Sequence, residues 1–303
     1  MELQATKLRH LDRTRQEPRE KNLLPVKIVG VRKVNQKIRL LRLGLQEGPS
    51  SRRTYTMRLS QEYLKFLAGQ WLDVFIPGDP RPGGFTIASA PSAATQAAEP
   101  HFELAVQEAP DNPAAAWLWR PENDILGQEL TVRIGGSFIC PPKEGLGGIR
   151  RIVLVAGGVG INPLMSMLSY LADESRNLDI RVSLMYATKV PEDGNLAGVL
   201  FLDRIVDLFR RGQVAGEVEL FLTGPVSQFR DVTADRTGQV EIRFGRMTRE
   251  DLMPKIRASS SKDDTLVYVC GPPAMTDYFV EMLTAPGMAS IIDAACVKSE
   301  KWW

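Results

Sequence analysis

The sequence predicts a protein of two domains, an all-β barrel followed by an α/β domain built on a parallel sheet. Its 303 residues, of which 44% are hydrophobic, are enough for two domains of ordinary size. Short apolar segments separated by glycine and proline occupy residues 25–140, whereas strands and helices alternate after Arg150. The first pattern is typical of a barrel, and the second of parallel strands joined by crossover helices.

Seven segments of the amino-terminal part have the length and composition of strands. They are residues 26–34, 38–45, 55–59, 71–76, 85–88, 102–106 and 130–134. We expect residues 1–21 to be a mobile tail, because they carry many charges and little apolar surface. A run rich in proline and glycine at 141–148 is the predicted linker. The predicted domains are therefore residues 22–148 and 149–303.

The second domain is predicted to begin with an apolar, mostly β-branched strand at 152–155 that runs into a glycine turn and a helix. Further strands and helices are predicted at 182–186, 200–209, 218–222, 240–244, 266–269 and 275–283. The turn consists of Gly157, Gly158, Val159, Gly160, Ile161, Asn162 and Pro163. Its glycines let the backbone bend tightly and approach a ligand, while Asn162 is placed to cap the helix and Pro163 to occupy its first turn. Unpaired N–H groups would then face a diphosphate, although a purely structural turn has the same pattern.

A second apolar strand ends in a rigid loop that contains Cys270, Gly271, Pro272 and Met275. Ligands of open α/β sheets bind beyond the carboxyl ends of strands, where the strand order reverses, so both loops are predicted to border one site. Cys270 is expected to contact a bound ring without acting as a nucleophile. The alternative is that it is simply a small buried hydrophobic residue.

The order of these motifs resembles that of the ferredoxin–NADP reductase superfamily, and within it the oxidoreductase NAD-binding domain-containing proteins. The resemblance also includes residues 69–77 and 83–91 and the terminal Glu300, Lys301, Trp302 and Trp303, and it extends over about residues 22 to 303. It implies a flavin-binding barrel of the ferredoxin-reductase type followed by an NAD(P)-binding α/β domain. It also implies an oxidoreductase that transfers hydride between nicotinamide and a bound flavin, FAD or FMN, and then passes electrons to an acceptor that the sequence does not identify.

In this superfamily an R-x-Y-S/T motif holds the flavin, with the arginine on phosphate and the tyrosine on the ring. The aligned residues here are Gly83, Gly84, Phe85 and Thr86, so glycine replaces the arginine. Phe85 keeps an apolar face for the ring, and the resemblance places Thr86 near the reacting nitrogen. The missing arginine removes a charge-assisted contact. Arg81 either reaches the phosphate across the two glycines or is a solvated surface residue.

Residues 112–119 look like the short helix that supports the flavin diphosphate, but alanines stand where the family often has a serine. We expect backbone N–H groups at that helix start to receive an anion. Trp117 and Trp119 belong either to this site or to the ordinary core.

At the carboxyl terminus, the resemblance implies that Trp303, or else Trp302, covers the flavin as a gate that nicotinamide displaces. Glu300 is then a polar neighbour for proton handling. A terminal packing anchor is the alternative role of the tryptophans.

The donor nucleotide is expected to be NAD, with NADP possible. Thr188 and Lys189 are able to hold a 2′-phosphate, but Glu192 and Asp193 repel one if they face the ribose. A lysine in this position is also commonly just solvated.

Composition excludes several other classes of protein. The net charge of +2 offers no strong field for nucleic acid, and no membrane span or secretory signal is visible. Three separated cysteines and two histidines support neither a metal site nor an iron–sulfur cluster, and they favour an intracellular, reducing compartment, cytoplasmic or mitochondrial. Because the flavin motif is altered, two further hypotheses remain: a nucleotide-sensing or scaffold protein without redox turnover, and a pyridine-nucleotide enzyme without flavin.

Overall fold

The computed structural model describes residues 10–45, 65–95, 98–175, 178–225, 240–258 and 261–301. Its first domain contains β1 (Leu24–Asn35), β2 (Ile38–Leu45), β3 (Trp71–Phe75), β4 (Gly83–Thr86), β5 (His101–Gln107) and β6 (Glu129–Gly135). These strands form an antiparallel sheet in the order β4-β3-β6-β1-β2-β5. Its two edges meet just after β4, where Ile87 bridges Leu104 and the Ala88 amide donates to the Glu103 carbonyl at 2.8 Å. The sheet closes into a barrel, which confirms the predicted fold.

Short helices cover the barrel: α1 (His10–Arg13), α2 (Pro91–Thr95), α3 (Pro113–Leu118) and α4 (Glu122–Ile125). The barrel interior is apolar because alternate strand residues face inward, such as Val26 and Ile28 of β1 or Leu72 and Val74 of β3. The described strands agree with the predicted ones to within two residues at either end. The strand predicted at 55–59 lies outside the described residues.

The amino-terminal segment corrects one prediction. Residues 1–9 lie outside the described part, but residues 10–20 pack on the outer face of β3 rather than forming a mobile tail. His10 Nε2 lies 2.7 Å from Oδ1 of Asp73. Arg19 and Arg133 both donate to the other oxygen, through Nε atoms at 3.0 and 2.8 Å. Because Asp73 is completely buried, it needs hydrogen-bonding partners, and the charge-rich segment supplies two of them, His10 and Arg19.

The second domain contains β7 (Arg151–Gly157), β8 (Arg181–Lys189), β9 (Ala215–Thr223), β10 (Val240–Phe244), β11 (Thr265–Cys270) and β12 (Val297–Glu300). All paired strands run parallel, in the order β10-β9-β8-β7-β11-β12. The crossover helices are α5 (Ile161–Asp173), α6 (Leu202–Arg210), α7 (Arg249–Arg257) and α8 (Pro273–Thr284). This arrangement confirms the predicted α/β domain. None of the helices among the described residues is both long enough and apolar enough to cross a bilayer.

The strand order reverses between β7 and β11, because successive strands are added on one side of β7 and then on the other. A parallel sheet binds ligands at such a reversal. The sequence pattern did not predict β12, which is short and contains polar residues. This strand pairs with β11 and places Glu300 beside Cys270.

Helix α5 joins the two domains because it is buried along most of its length. Its Asn162 Nδ2 donates to the Ala105 carbonyl of β5 at 3.0 Å, and Ser166 Oγ donates to the Ser89 carbonyl at 2.7 Å. A partly buried ion pair also links Arg204 of α6 to Glu103 of β5 at 2.7 Å. These contacts hold the carboxyl edge of the parallel sheet against the barrel.

Candidate functional site

The glycine turn forms the centre of the candidate site. Strand β7 ends at Gly157, one turn of 3-10 helix follows over Gly158–Gly160, and α5 begins at Ile161. Gly158 has a φ of +54°, and no atom lies within 4 Å of the position that its Cβ would occupy. It is therefore the glycine of this turn that faces open space, where a ligand can approach the backbone.

Gly157 and Gly160 have a packing role, and their approach to the diphosphate stays a prediction. A Cβ on Gly160 would lie 2.2 Å from the carbonyl oxygen of Cys270. A Cβ on Gly157 would lie 2.5 Å from Cδ of Pro272 and 2.8 Å from the sulfur of Met275. These two glycines allow the turn and the loop after β11 to touch, so the two sequence motifs form one continuous surface.

Asn162 and Pro163 begin α5, but the predicted cap is wrong. The helix has Gly160 as its N-cap without any side-chain capping bond, and Asn162 lies inside the first turn. The Asn162 side chain is buried and bonds the barrel through Nδ2, while its Oδ1 has no hydrogen-bond partner among the described residues. The early helix start turns this side chain toward β5 rather than toward the helix amides. Pro163 lies in the first turn, as predicted.

Cys270 lies at the carboxyl end of β11, opposite Ala156 of β7 and Glu300 of β12. Only 1% of its surface is exposed. Burial raises the pKa of the Cys270 thiol far above its ordinary value, and the charge of Glu300 adds to the shift. The thiol therefore stays protonated, which suits contact with an apolar ring and not nucleophilic attack.

On the barrel side, strand β4 carries the altered flavin motif. Phe85 lies opposite Leu72 and Thr86 lies opposite Trp71, so the two side chains leave the strand on opposite faces. Phe85 is partly buried and packs against the barrel core, whereas Thr86 is buried. The Cβ position of Gly84 is filled by the ring of His10.

Gly83 stands where the superfamily motif has an arginine, and the structure leaves no space for a side chain there. A Cβ on Gly83 would lie 2.5 Å from Cβ of Ala114 in α3 and 2.8 Å from Cε2 of Phe85. Real Cβ atoms do not approach other heavy atoms this closely. Helix α3 therefore packs directly on β4 where the superfamily motif has its phosphate-binding side chain.

The start of α3 does not offer amides to an anion, so that expectation is also wrong. Oδ1 of Asn112 accepts hydrogen bonds from the Ala114 and Ala115 amides at 3.1 and 3.2 Å. The Ala116 amide donates to the Asn112 carbonyl, and Pro113 has no N–H. Asn112 followed by proline is a common helix start, so this cap was readable from the sequence.

Arg81 lies at the surface and pairs with its neighbour. Its Nε donates to Oδ1 of Asp79 at 3.1 Å, and the side chain is 53% exposed. Among the described residues of β4 and α3, therefore, Gly83 has no side chain for a phosphate and the first amides of α3 are already bonded. Phe85, which is partly buried, keeps an aromatic side chain at the position of the motif's tyrosine.

The remaining predicted residues lie at the edges of the site. Trp302 and Trp303 fall outside the described residues, and Lys301 before them pairs with Asp277. Lys189 ends β8 as an exposed residue, so the preference for NAD over NADP stays a prediction. Trp117 is buried in the barrel core, which favours the packing role for this residue.

Comparison with known proteins identifies the family. Oxidoreductase NAD-binding domain-containing protein 1 of Bos taurus is 35% identical over 302 residues, which are 97% of this chain and 85% of that protein. The chain belongs to the family of oxidoreductase NAD-binding domain-containing proteins. The member of this family from Xenopus laevis is 32% identical over 97% of this chain and 84% of its own length. No family model matches the chain.

Solved structures support the fold assignment. A ferredoxin reductase in carbazole 1,9a-dioxygenase is similar with a TM-score of 0.62 and 15% identity, over 93% of this chain and 70% of that chain. At this identity the likeness concerns the fold alone.

Within the described residues, no three His, Cys, Asp or Glu side chains are grouped so that they could hold a metal ion.

Proposed function

We propose that this chain is an NAD(P)H-dependent oxidoreductase that delivers a hydride to a flavin. The observation that carries the proposal is the contact between the Gly157–Gly160 turn and the loop after β11, at the reversal of strand order. This contact leaves Gly158 as an open approach to the backbone beside the start of α5. The family name and the reductase title of the similar structure support the same function.

The nucleotide diphosphate is proposed to bind at Gly158 and the start of α5. Helix α5 has 13 residues and no side-chain cap, so its positive end remains available to an anion. Helix α3 differs in both respects, because it has six residues and Asn112 caps it. Of these two helix starts, only that of α5 lacks a side-chain cap, and it lies in the parallel-sheet domain.

The nicotinamide is proposed to lie beside Cys270 and Gly271, in front of the barrel. The neutral, buried thiol of Cys270 contributes shape and keeps water away from the ring. Glu300 on the adjacent strand end is the proposed proton-handling group. A flavin ring supplies the capacity to accept a hydride, and the chain contributes position rather than a covalent group.

A test of this proposal is to add NADH and then NADPH to the purified chain without oxygen, in the presence of riboflavin, FMN or FAD. We expect flavin absorbance at about 450 nm to disappear with at least one nucleotide. Nucleotide binding without loss of flavin absorbance would contradict the proposal. That result would favour the nucleotide-sensing hypothesis, which the closed position at Gly83 supports.

A further inference from the structure

We propose that the chain binds flavin through its ring and ribityl chain and releases it as an exchangeable substrate, instead of retaining FAD. The inference rests on the proposed function and specifies its flavin site. Its basis is the direct contact between Gly83 of β4 and Ala114 of α3. This contact occupies the place from which the diphosphate of a retained FAD would be held.

The contact leaves no room for a side chain at residue 83. Gly83 is buried, and Ala114 is 3% exposed. A Cβ on Gly83 would be caught between Ala114 and the ring of Phe85, at 2.5 and 2.8 Å. A phosphate-binding side chain would therefore require α3 to move away from β4.

The backbone around α3 offers no substitute for the missing side chain. The amides of Ala114 and Ala115 are bonded to the Asn112 side chain, and the Ala116 amide is bonded to the Asn112 carbonyl. Since Pro113 has no amide hydrogen, the whole first turn of α3 is satisfied internally. A diphosphate approaching this helix would have to compete with its own cap.

The arginines near α3 have other partners. Arg81 pairs with Asp79. Arg39 donates to the carbonyls of Leu118, Trp119 and Arg120 at 3.1, 3.2 and 2.8 Å, and its guanidinium lies 4.3 Å from the Trp119 ring centre. Arg39 therefore completes the carboxyl end of α3. Arg120 lies over the ring of Trp117, beyond that same end.

Because the described part of β4 and α3 provides no phosphate anchor, the flavin is held by contacts that all flavins share. We assign the ring contact to Phe85, which packs against the barrel core and is only partly buried. Riboflavin, FMN and FAD have the same ring and ribityl chain. Each charge-assisted contact that is missing lowers affinity by about one to two decades. The three flavins are therefore expected to bind with similar, moderate affinity and to exchange.

The reaction balances without another reactant in the chain. NAD(P)H loses a hydride from its nicotinamide ring, and oxidised flavin takes up that hydride together with one proton from solvent. The products are NAD(P)⁺ and reduced flavin, which leaves with two electrons. The reduced flavin then acts as the diffusible carrier to the acceptor.

The first experiment is a titration of the full chain with riboflavin, FMN and FAD, followed by quenching of flavin fluorescence. We expect the three dissociation constants to agree within about threefold, and the flavin to be lost on gel filtration. FAD binding more than about tenfold tighter than riboflavin, or FAD that stays with the protein, would overturn the inference.

Two sets of variants locate the binding contacts. Phe85→Ala is expected to weaken the binding of all three flavins by about the same factor. The control is Phe75→Ala, which changes a half-buried phenylalanine on the neighbouring strand and is expected to leave flavin affinity unchanged. Unchanged NADH binding would show that both variants are folded. Arg81→Ala and Arg120→Ala are expected to leave the ratio of FAD to riboflavin affinity unchanged. A selective loss of FAD in either variant would identify a phosphate anchor and overturn the inference.

The outcomes separate this inference from the proposed function. If FAD stays bound to the protein and is reduced by NAD(P)H, the proposed function is supported and the proposed flavin exchange is contradicted. NAD(P)H binding with no binding of any flavin would remove both the exchange and the flavin as hydride acceptor. Similar affinities with reduction of all three flavins would support both.

Discussion

Replacing Gly158 by aspartate is predicted to weaken the binding of NADH by at least about fivefold without unfolding the chain. Gly158 has a φ of +54°, a conformation that aspartate and asparagine adopt more readily than other L-residues. No atom lies within 4 Å of the Cβ that the substitution adds, so the new side chain meets no neighbour. It enters instead the open space that we assign to the nucleotide diphosphate.

The size of the effect follows from the repulsion between like charges. Two unit charges at about 4 Å interact by about 1 kcal/mol in bulk water and by about 4 kcal/mol at the effective dielectric constant near a protein surface. Because about 1.4 kcal/mol corresponds to tenfold in affinity, the loss lies between about fivefold and about a thousandfold. Salt screens this repulsion, so the loss shrinks as ionic strength rises.

The assay is a titration followed by NADH fluorescence at low and high ionic strength. Gly158→Asn is the uncharged control of nearly the same shape. Gly212→Asp places the same charge after α6, at a glycine with a φ of +67° and open space at its Cβ position. Wild-type NADH affinity in a folded Gly158→Asp variant would refute the assignment of the diphosphate to this turn. Equal losses with asparagine and aspartate would refute the electrostatic reasoning.

Three further changes test the packing around the site. Gly160→Ala is expected to lower the free energy of unfolding by about 1 to 3 kcal/mol, because the added Cβ would lie 2.2 Å from the carbonyl oxygen of Cys270. Wild-type stability of this variant in urea unfolding would contradict this expectation. Asp73→Asn is expected to lower the free energy of unfolding by about 3 kcal/mol, because it removes the carboxylate that faces the partly buried Arg19 and Arg133. Burial alone would raise the pKa of Asp73, but hydrogen bonds from His10 and Arg133 hold it below its usual value of 3.8, so the stability it contributes is lost as pH falls below about 4. The difference in unfolding free energy between the wild type and Asp73→Asn should therefore become smaller in acid. A difference that does not change with pH would contradict an ionised Asp73 carboxylate paired with the arginines. Finally, Cys270 is expected to resist labelling by iodoacetamide in the native chain at about pH 8, because its thiol is buried. The half-buried Cys296 is expected to be labelled first. Labelling in the reverse order, measured by mass spectrometry, would contradict the burial of Cys270.

The sequence by itself determined the fold class, the order of barrel and parallel sheet, and the two loops at the carboxyl ends of β7 and β11. These features are local, because each depends on residues within about a dozen positions of one another. The strand at 152–155 and its glycine turn, for example, are predicted from consecutive residues alone. The cap at Asn112 is a local feature too, because Asn-Pro before a helix is an ordinary start signal.

The tertiary structure alone decided which contacts those residues make. Asn162 bonds a carbonyl 57 positions away, His10 meets Asp73 across 63 positions, and Gly83 packs against a helix that begins 30 residues later. Local periodicity carries no information about such pairs, because they depend on how separate elements pack. The charge composition of residues 1–21 predicted a mobile tail, because the group that orders residues 10–20 is distant in the sequence. That group is Asp73, which is buried only once the barrel has folded.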